Sequence, residues 1–244
     1  MFGTSIINEV VELHSVDSTN TYALGTGRPG LLVTAREQTA GRGRMGRSWF
    51  SPEGLNLYMT ITLDSMDPRL TLVAGVAVQE ALSGIAGKDN SVEIKWPNDI
   101  LVCGKKVCGI LCESRKITAV GIGINVNQKD WPPELEHRAT SLSRVIGAEL
   151  DKTRVLQQVT ASLDAWVARF GEQGFEPVRE RFLEHGMLRL HALETEDGHE
   201  CRIVDLDSDG HLHIEKSGAI EELISGSLVV RKSLCDPKER GIRG

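Results

Sequence analysis

The sequence predicts an α+β protein in two units, a larger one in which strands alternate with helices and a small all-β one after it. Three observations carry this. Residues 67–87 hold a one-sided helical stripe, and residues 92–126 read as short strands with a hairpin signal. From about Leu188 the composition shifts to short alternating strands separated by Asp-Gly and Ser-Gly pairs. No apolar run is long enough to span a bilayer and no signal-peptide pattern opens the chain, so the expected location is the cytoplasm, with no membrane partner. Five cysteines, without a C-x-x-C pair, fit a reducing compartment. A net charge of −6 disfavours a dedicated nucleic-acid binder, whose positive charge extends over a whole face.

Element by element, Ile6 to His14 reads as a first strand. Asp17-Ser18-Thr19-Asn20 is dense in capping side chains, so a short helix begins within Thr21 to Leu24. The free N–H groups of such a helix start are themselves a polar-ligand site. Leu31 to Ala35 is a short buried strand, and Leu55 to Leu63 is the strand that brings the chain back. Asp67 caps and Pro68 opens the clearest helix, with apolar residues from Leu70 to Ile85 on one side and Gly87 at its end. Val92 to Lys95 is a strand, and Trp96-Pro97-Asn98-Asp99 a tight polar corner. In Ile117 to Val126 glycines alternate with isoleucines, which leaves one face flat enough for close approach. Asp151 caps another helix, closed by Gly171, and a further one spans about Phe175 to Leu183. Five strands (Leu190 to Glu194, Cys201 to Leu206, His211 to Glu215, Ala219 to Leu223, Ser227 to Arg231) suggest a small barrel. The expected division is 1–187, 188–234 and a frayed tail 235–244.

The densest chemistry lies in Gly41-Arg42-Gly43-Arg44-Met45-Gly46-Arg47-Ser48-Trp49. Glycines let backbone N–H groups point at an anion, and the arginines add forked cationic donors. Trp49 offers a flat face for a base. No core absorbs three guanidinium groups, so the stretch reads as a surface loop that orders around an anionic ligand. It satisfies G-x-G-x-x-G, yet no helix follows it and no G-K-[ST] is present, so it is neither a dinucleotide fingerprint nor a P-loop.

The second dense stretch is a hairpin of Ile100 to Cys103 and Lys106 to Cys112, with Gly104-Lys105 expected as a type II′ turn. In that register Asp99 faces Ile110, and Asp99 and Lys106 stand about 13 Å apart on one face, at about 3.3 Å per residue. That is too far for a salt bridge and suits two ends of one ligand. Cys108 and Cys112 read as small core residues. The scattered histidines, His211 and His213 included, point to no metal site.

These blocks, in this order, resemble biotin protein ligases: Asp17-Ser18-Thr19-Asn20, Gln38, the glycine–arginine loop, Lys95-Trp96-Pro97-Asn98-Asp99, Lys106 to Glu113, and Gly121 to Asn127. The resemblance runs from about Ile6 to Arg231. It implies a mixed β-sheet flanked by helices, of the class II synthetase-like ligase type, followed by an SH3-like C-terminal barrel. With about sixteen residues before the Asp17 box, it implies the monofunctional type that lacks an N-terminal DNA-binding domain and does not bind DNA.

It further implies that biotin and ATP, with Mg²⁺, form biotinyl-5′-adenylate, and that a lysine of a biotin carboxyl carrier protein accepts the biotinyl group. By position, Ser18, Thr19, Asn20, Gln38, Gly41, Arg42, Arg44, Lys106 and Gly109 would contact biotin. Arg47, Trp49, Lys95, Asn98 and Asn125 would lie near the nucleotide. Arg44, Lys106 and Asp99 would be catalytic, with Asp99 orienting either Mg²⁺ or the incoming amine. A homodimer through an exposed sheet edge is compatible with the resemblance. The rival readings are a lipoate–protein ligase and a non-enzymatic RNA-binding protein using the same loop. Only 5% aromatic residues leave the latter few stacking platforms.

Overall fold

The computed structural model describes residues 5–186, 191–226 and 228–233, with the side chains of 191, 192 and 231–233 outside the description. Two sheets organise it. Seven strands, β1 (Glu9–Val16), β2 (Leu31–Gln38), β3 (Leu57–Leu63), β4 (Val92–Lys95), β5 (Asp99–Val102), β6 (Lys105–Ser114) and β7 (Thr118–Ile124), lie in the order β1-β2-β3-β7-β6-β5-β4. β1 and β2 are parallel and every other pair is antiparallel, so the sheet is mixed as the resemblance implies. The second sheet is antiparallel, in the order β11-β10-β9-β8-β12: β8 (His191–Glu194), β9 (Glu200–Leu206), β10 (Leu212–Lys216), β11 (Ala219–Leu223) and β12 (Val229–Ser233). Among the described residues its end strands do not pair with each other, so it is an open form of the expected barrel. The expected boundary at 187/188 and the tail 235–244 lie outside the described residues.

Alternation in the strands sorts the large sheet's two faces. Met59, Ile61, Ile110, Ile122 and Ile124 point to one face and join the main core with α2 (Leu70–Ala86), α4 (Lys152–Gln173) and α5 (Glu176–His185). The other face carries Thr60, Gly109, Gly121 and Gly123, and α1 (Thr19–Thr26) packs there through Ala23 against Leu31 and Val33. Every residue of β3 is buried, because helices cover one side and the site covers the other.

Helix ends differ from the expected ones in α2 and α4, and α3 (Leu142–Ile146) is a helix the sequence does not predict. α2 begins at Leu70, two residues beyond Pro68, while Asp67 Oδ1 accepts the Arg69 N–H at 2.9 Å and grips its guanidinium. The Asp67–Arg69 clamp holds residues 67–69 as a turn, and Arg69 also reaches Ser208 O in the β9–β10 turn. Gly171 lies inside α4, which continues to Gln173 and ends at Gly174 with φ 74°. Capped by Ser141 and Gly147, α3 is too short to show a helical period in the sequence.

Candidate functional site

One row of cross-strand partners builds the site's base. Lys95 faces Asp99, Asp99 faces Gly109, Gly109 faces Gly123, and Gly123 faces Tyr58. Partners in a ladder share a face, so two cationic or anionic side chains, two bare glycines and a tyrosine lie side by side. The glycines are sterically required. A Cβ on Gly123 would stand 2.5 Å from the Trp49 indole nitrogen, and one on Gly109 3.0 Å from Trp49 Cζ3. The flat face expected from the glycine–isoleucine alternation is therefore occupied by the indole of the glycine–arginine loop.

The hairpin corrects the expected register. Its turn is Cys103-Gly104, with φ of 49° and 75°, the left-handed pair of a type I′ turn. Leu101 then faces Lys106 and Ile100 faces Cys108, so Val107 is an extra residue on β6, a bulge. The bulge turns Lys106 onto the same side as Gly109, whose missing Cβ leaves a path for the lysine stem. Cε and Nζ of Lys106 lie 3.4 Å from where that Cβ would be. The ammonium thus reaches Asp99 Oδ1 at 2.6 Å, and the expected separation of about 13 Å is overturned: the two form an ion pair. The same Nζ lies 5.2 Å from the Trp49 ring centroid, a cation–π distance. At the bulge, Lys106 also exchanges backbone bonds with another segment, N–H to Arg138 O at 2.8 Å and C=O from Thr140 N–H at 2.9 Å.

The glycine–arginine loop is a narrow hairpin over this row. Gly43 N–H donates to Arg47 O at 2.7 Å and Trp49 N–H to Gly41 O at 2.9 Å, with Met45 at φ 55° and Gly46 at φ 72° forming the tip. Arg44 Nη1 donates to Asn98 Oδ1 at 3.2 Å and to Gly226 O at 3.4 Å, so it joins the Trp96–Asp99 corner to the second sheet. Burial lowers the pKa of the Arg44 guanidinium, opposed by Asp99 nearby. Arg42 turns away from Arg44, its Nη2 donating to Thr21 Oγ1 at 3.1 Å and Glu113 Oε2 at 3.0 Å.

A network of amides and hydroxyls, bounded by the Arg42–Glu113 ion pair, forms another wall. Gln38 Oε1 accepts from Thr19 N at 2.9 Å and Thr19 Oγ1 at 3.1 Å, while the Thr60 hydroxyl lies 2.9 Å from Thr19 Oγ1 and 2.7 Å from Asn20 Oδ1. Asn20 Nδ2 donates to Leu111 O at 3.0 Å and Glu113 Oε2 at 2.8 Å. Ser18, Thr19 and Asn20 are buried at the start of α1, as the capping cluster suggested, although Ser18 makes no side-chain cap bond.

Together these elements enclose a cavity of about 1410 Å³. Ser18, Thr19, Asn20, Gln38, Arg42 and Gly109 are among the residues that line it, as are Arg44, Arg47, Trp49, Lys95, Asn98, Asp99, Lys106 and Asn125. Gly41 stands behind the wall, where a Cβ would lie 2.6 Å from Ser51 Oγ and from Trp49 O. Thr60 and Glu113 tie the wall together, and Arg138 and Thr140 line it through the segment docked on the bulge. The sequence gives little sign of that segment, because its docking depends on a bulge invisible in the residue pattern. Glu196 and Leu228 of the second sheet also line the cavity.

The charges have distinct states. Burial chiefly, with Lys106, Arg47 and Arg138 adding to it, lowers the Lys95 pKa, and Asp99 opposes. Burial pushes the Cys112 thiol up to about 11 and also raises Cys108, so neither is a ready thiolate near neutral pH. Asp99 does not fit the role of a magnesium cage. Its carboxylate already holds an ammonium at 2.6 Å and its strand partner is Lys95, whereas magnesium sites gather oxygen donors. Outside the cavity lining, Asp207, His211 and Glu222 bring ligand atoms within 4.8 Å of one another, where His211 Nδ1 and Glu222 Oε1 lie 2.6 Å apart. Among the described residues no helix is long and apolar enough to cross a membrane.

The Biotin/lipoate A/B protein ligase family model matches residues 13–128. A biotin–[acetyl-CoA-carboxylase] ligase of Paracoccus denitrificans is 37% identical over 189 residues, 70% of this chain and 78% of that one. A bifunctional ligase/repressor BirA of Bacillus spizizenii is 35% identical over 215 residues, 82% of this chain but 66% of its own length. The biotin protein ligase of Aquifex aeolicus, solved in complex with biotin and ATP, superposes with a TM-score of 0.81 at 33% identity, covering 93% of this chain and 100% of that one. The glycine-floored row, the arginine hairpin above it and these likenesses agree, and the chain belongs to the biotin protein ligase family.

Proposed function

We propose that the protein is an ATP-dependent biotin ligase that activates biotin as biotinyl-5′-adenylate and transfers the biotinyl group to one lysine of a biotin carboxyl carrier domain. The observation that carries this is that one cavity is lined both by a network of amides and hydroxyls around Thr19, Asn20 and Gln38 and by the cations Arg44, Arg47, Lys95 and Lys106. A ligand with an uncharged polar head and a carboxylate tail satisfies both in turn. Beside the cations, a carboxylate oxygen attacks the α-phosphorus of ATP and pyrophosphate leaves. The neutral amine of the acceptor lysine then attacks the acyl carbon, loses its proton and expels AMP.

Repulsion between carboxylate and triphosphate opposes the first step, and fixed cations offset it. Lys106 and Arg44 stand closest to that task, with Lys95 and Arg47 beside them. Magnesium enters as the counter-ion of the ATP phosphates, the usual way it is held in nucleotide sites. Asp99 holds Lys106 in place, and once substrate anions draw the ammonium away its carboxylate is free to orient the acceptor amine. No covalent enzyme intermediate is required, which agrees with the raised pKa of the Cys108 and Cys112 thiols. Residues 1–187 would form the catalytic domain and 188–234 the C-terminal one. The open edge at β1 offers a place for a second copy.

The test is to incubate the protein with ATP labelled in its α-phosphate, magnesium and either biotin or lipoate, without acceptor. A bound adenylate in about 1:1 ratio with biotin is expected, because the arginine loop covers the product and shields it from water. Adenylate with lipoate alone would change the substrate, and none with either acid would end the ligase reading.

A further inference from the structure

The three arginines of the loop differ in what they touch. Arg44 donates to neutral acceptors, Asn98 Oδ1 and Gly226 O, and keeps its charge available to an anion. Arg42 is instead committed to a carboxylate, Glu113 Oε2, at 3.0 Å. Glu113 lies on β6 two and four residues beyond Leu111 and Gly109, hence on the same face, and the same oxygen accepts Asn20 Nδ2 at 2.8 Å. Asn20 is held by bonds to Leu111 O and from the Thr60 hydroxyl, and its amide fills the space above Gly121 where a Cβ would overlap it.

From Asn20 the polar contacts run on through Thr60, Thr19 and Gln38. Gln38 Nε2 then donates to Ser51 Oγ at 3.1 Å, and Ser51 Oγ donates to Trp49 O at 3.0 Å. One chain of hydrogen bonds therefore crosses the cavity floor and grips the loop at both stems, by Arg42 on entry and by the Trp49 carbonyl on exit.

We propose that Glu113 is the positioning residue of this loop: its carboxylate latches Arg42 and Asn20 together, so that Arg42 anchors the loop and Arg44 is left to meet the substrate's charge. Its functional half rests on the ligase reading. The pair is only partly shielded, with side-chain exposures of 46% for Arg42 and 28% for Glu113. Because one carboxylate holds both Arg42 and Asn20, its loss should nonetheless loosen the loop by about tenfold, or ~1.4 kcal/mol, and leave the fold intact.

Two readouts on the full chain test this with Glu113→Gln, Arg42→Gln and the double variant. The first needs no substrate: limited trypsin digestion, with the cuts after Arg44 and Arg47 identified by mass. Glu113→Gln should raise the rate of those two cuts about tenfold, while cuts elsewhere and the melting temperature stay at wild-type values. The double variant should cut no faster than either single one, because both remove the same latch.

The second readout is release of labelled biotinyl adenylate after a chase, against the rate of pyrophosphate exchange. Glu113→Gln should speed release about tenfold and slow exchange far less. Wild-type cutting rates in Glu113→Gln would overturn the latch. So would additive effects in the double variant, or faster cutting everywhere together with a lower melting temperature. Faster loop cutting in a protein whose wild type makes no adenylate would keep the latch and remove the ligase reading. Faster cutting with unchanged adenylate release would show that the latch does not serve retention, and would overturn the functional half.

Discussion

The two faces of the seven-stranded sheet are made by alternate residues of the same strands, and they carry opposite chemistry. Toward α2 and α4, Ile110, Ile122 and Ile124 are buried at 0–2% exposure and pack as core. Toward the cavity, the residues between them are Gly109, Gly121 and Gly123, whose bareness admits Trp49 and Asn20. One face is filled by its own side chains, and the other is filled by side chains brought from elsewhere. A period of two is enough to separate stability from site construction within one strand.

The largest effect that would sharpen this contrast is expected at Lys106→Ala. Removing the cation that crosses Gly109 to Asp99 should slow pyrophosphate exchange by about 100- to 1,000-fold, as loss of one preorganised electrostatic group commonly does, with little change in melting temperature. Near-normal exchange would break the assignment of the cavity face to chemistry.

Ile122→Ala probes the other face and should do the reverse. It should cost about 2–5 kcal/mol of stability, read by chemical denaturation, and leave the KM for biotin near wild type at low temperature. A stable protein with a raised KM would show that the two faces are not separable.

Gly123→Ala adds a single methyl at the boundary between the two. Because that carbon would stand 2.5 Å from the indole nitrogen, Trp49 must shift. We expect about a tenfold loss of adenylate retention and a stability change of about 1 kcal/mol. Unchanged retention would mean that the position of the indole does not matter to the site.

The smallest effect concerns pH. Lys95 has its pKa lowered, chiefly by burial, and its protonated form is the one that attracts phosphate. The KM for ATP should therefore rise with pH before the range of an ordinary lysine is reached, because the cation is lost as pH passes through the lowered value. Lys95→Met should show a KM that is higher at neutral pH and flat across that alkaline range. A wild-type profile that stays flat would remove Lys95 from phosphate binding.

Much of the site is legible in the residues because it depends on local sterics. The glycine–isoleucine alternation of β7 gives a bare face, the Asp17–Asn20 cluster starts a helix, and the arginine-rich hairpin cannot be core. Fourteen of the fifteen candidate positions line the cavity, and Gly41 stands just behind it. The Asp99–Lys106 distance was not legible, since the turn at Cys103-Gly104 and the extra residue at Val107 bring Lys106 opposite Leu101, two residues from Asp99 instead of four. Bulges follow from how a strand meets its neighbours, here β5, β7 and the segment around Arg138, and pattern within one strand does not report them.

The division follows the range of the forces. Strand alternation, helix stripes, capping and the need for glycine act over a few residues, so the order of residues alone decides them. Which arginine is anchored and which is free depends on Glu113, about seventy residues from Arg42, and on the fixed amide of Asn20 between them. Whether Asp99 is an open carboxylate or a lysine's partner depends on register across two strands. Contacts of that kind exist only once the sheet has closed, because a charge chooses its partner by distance in space.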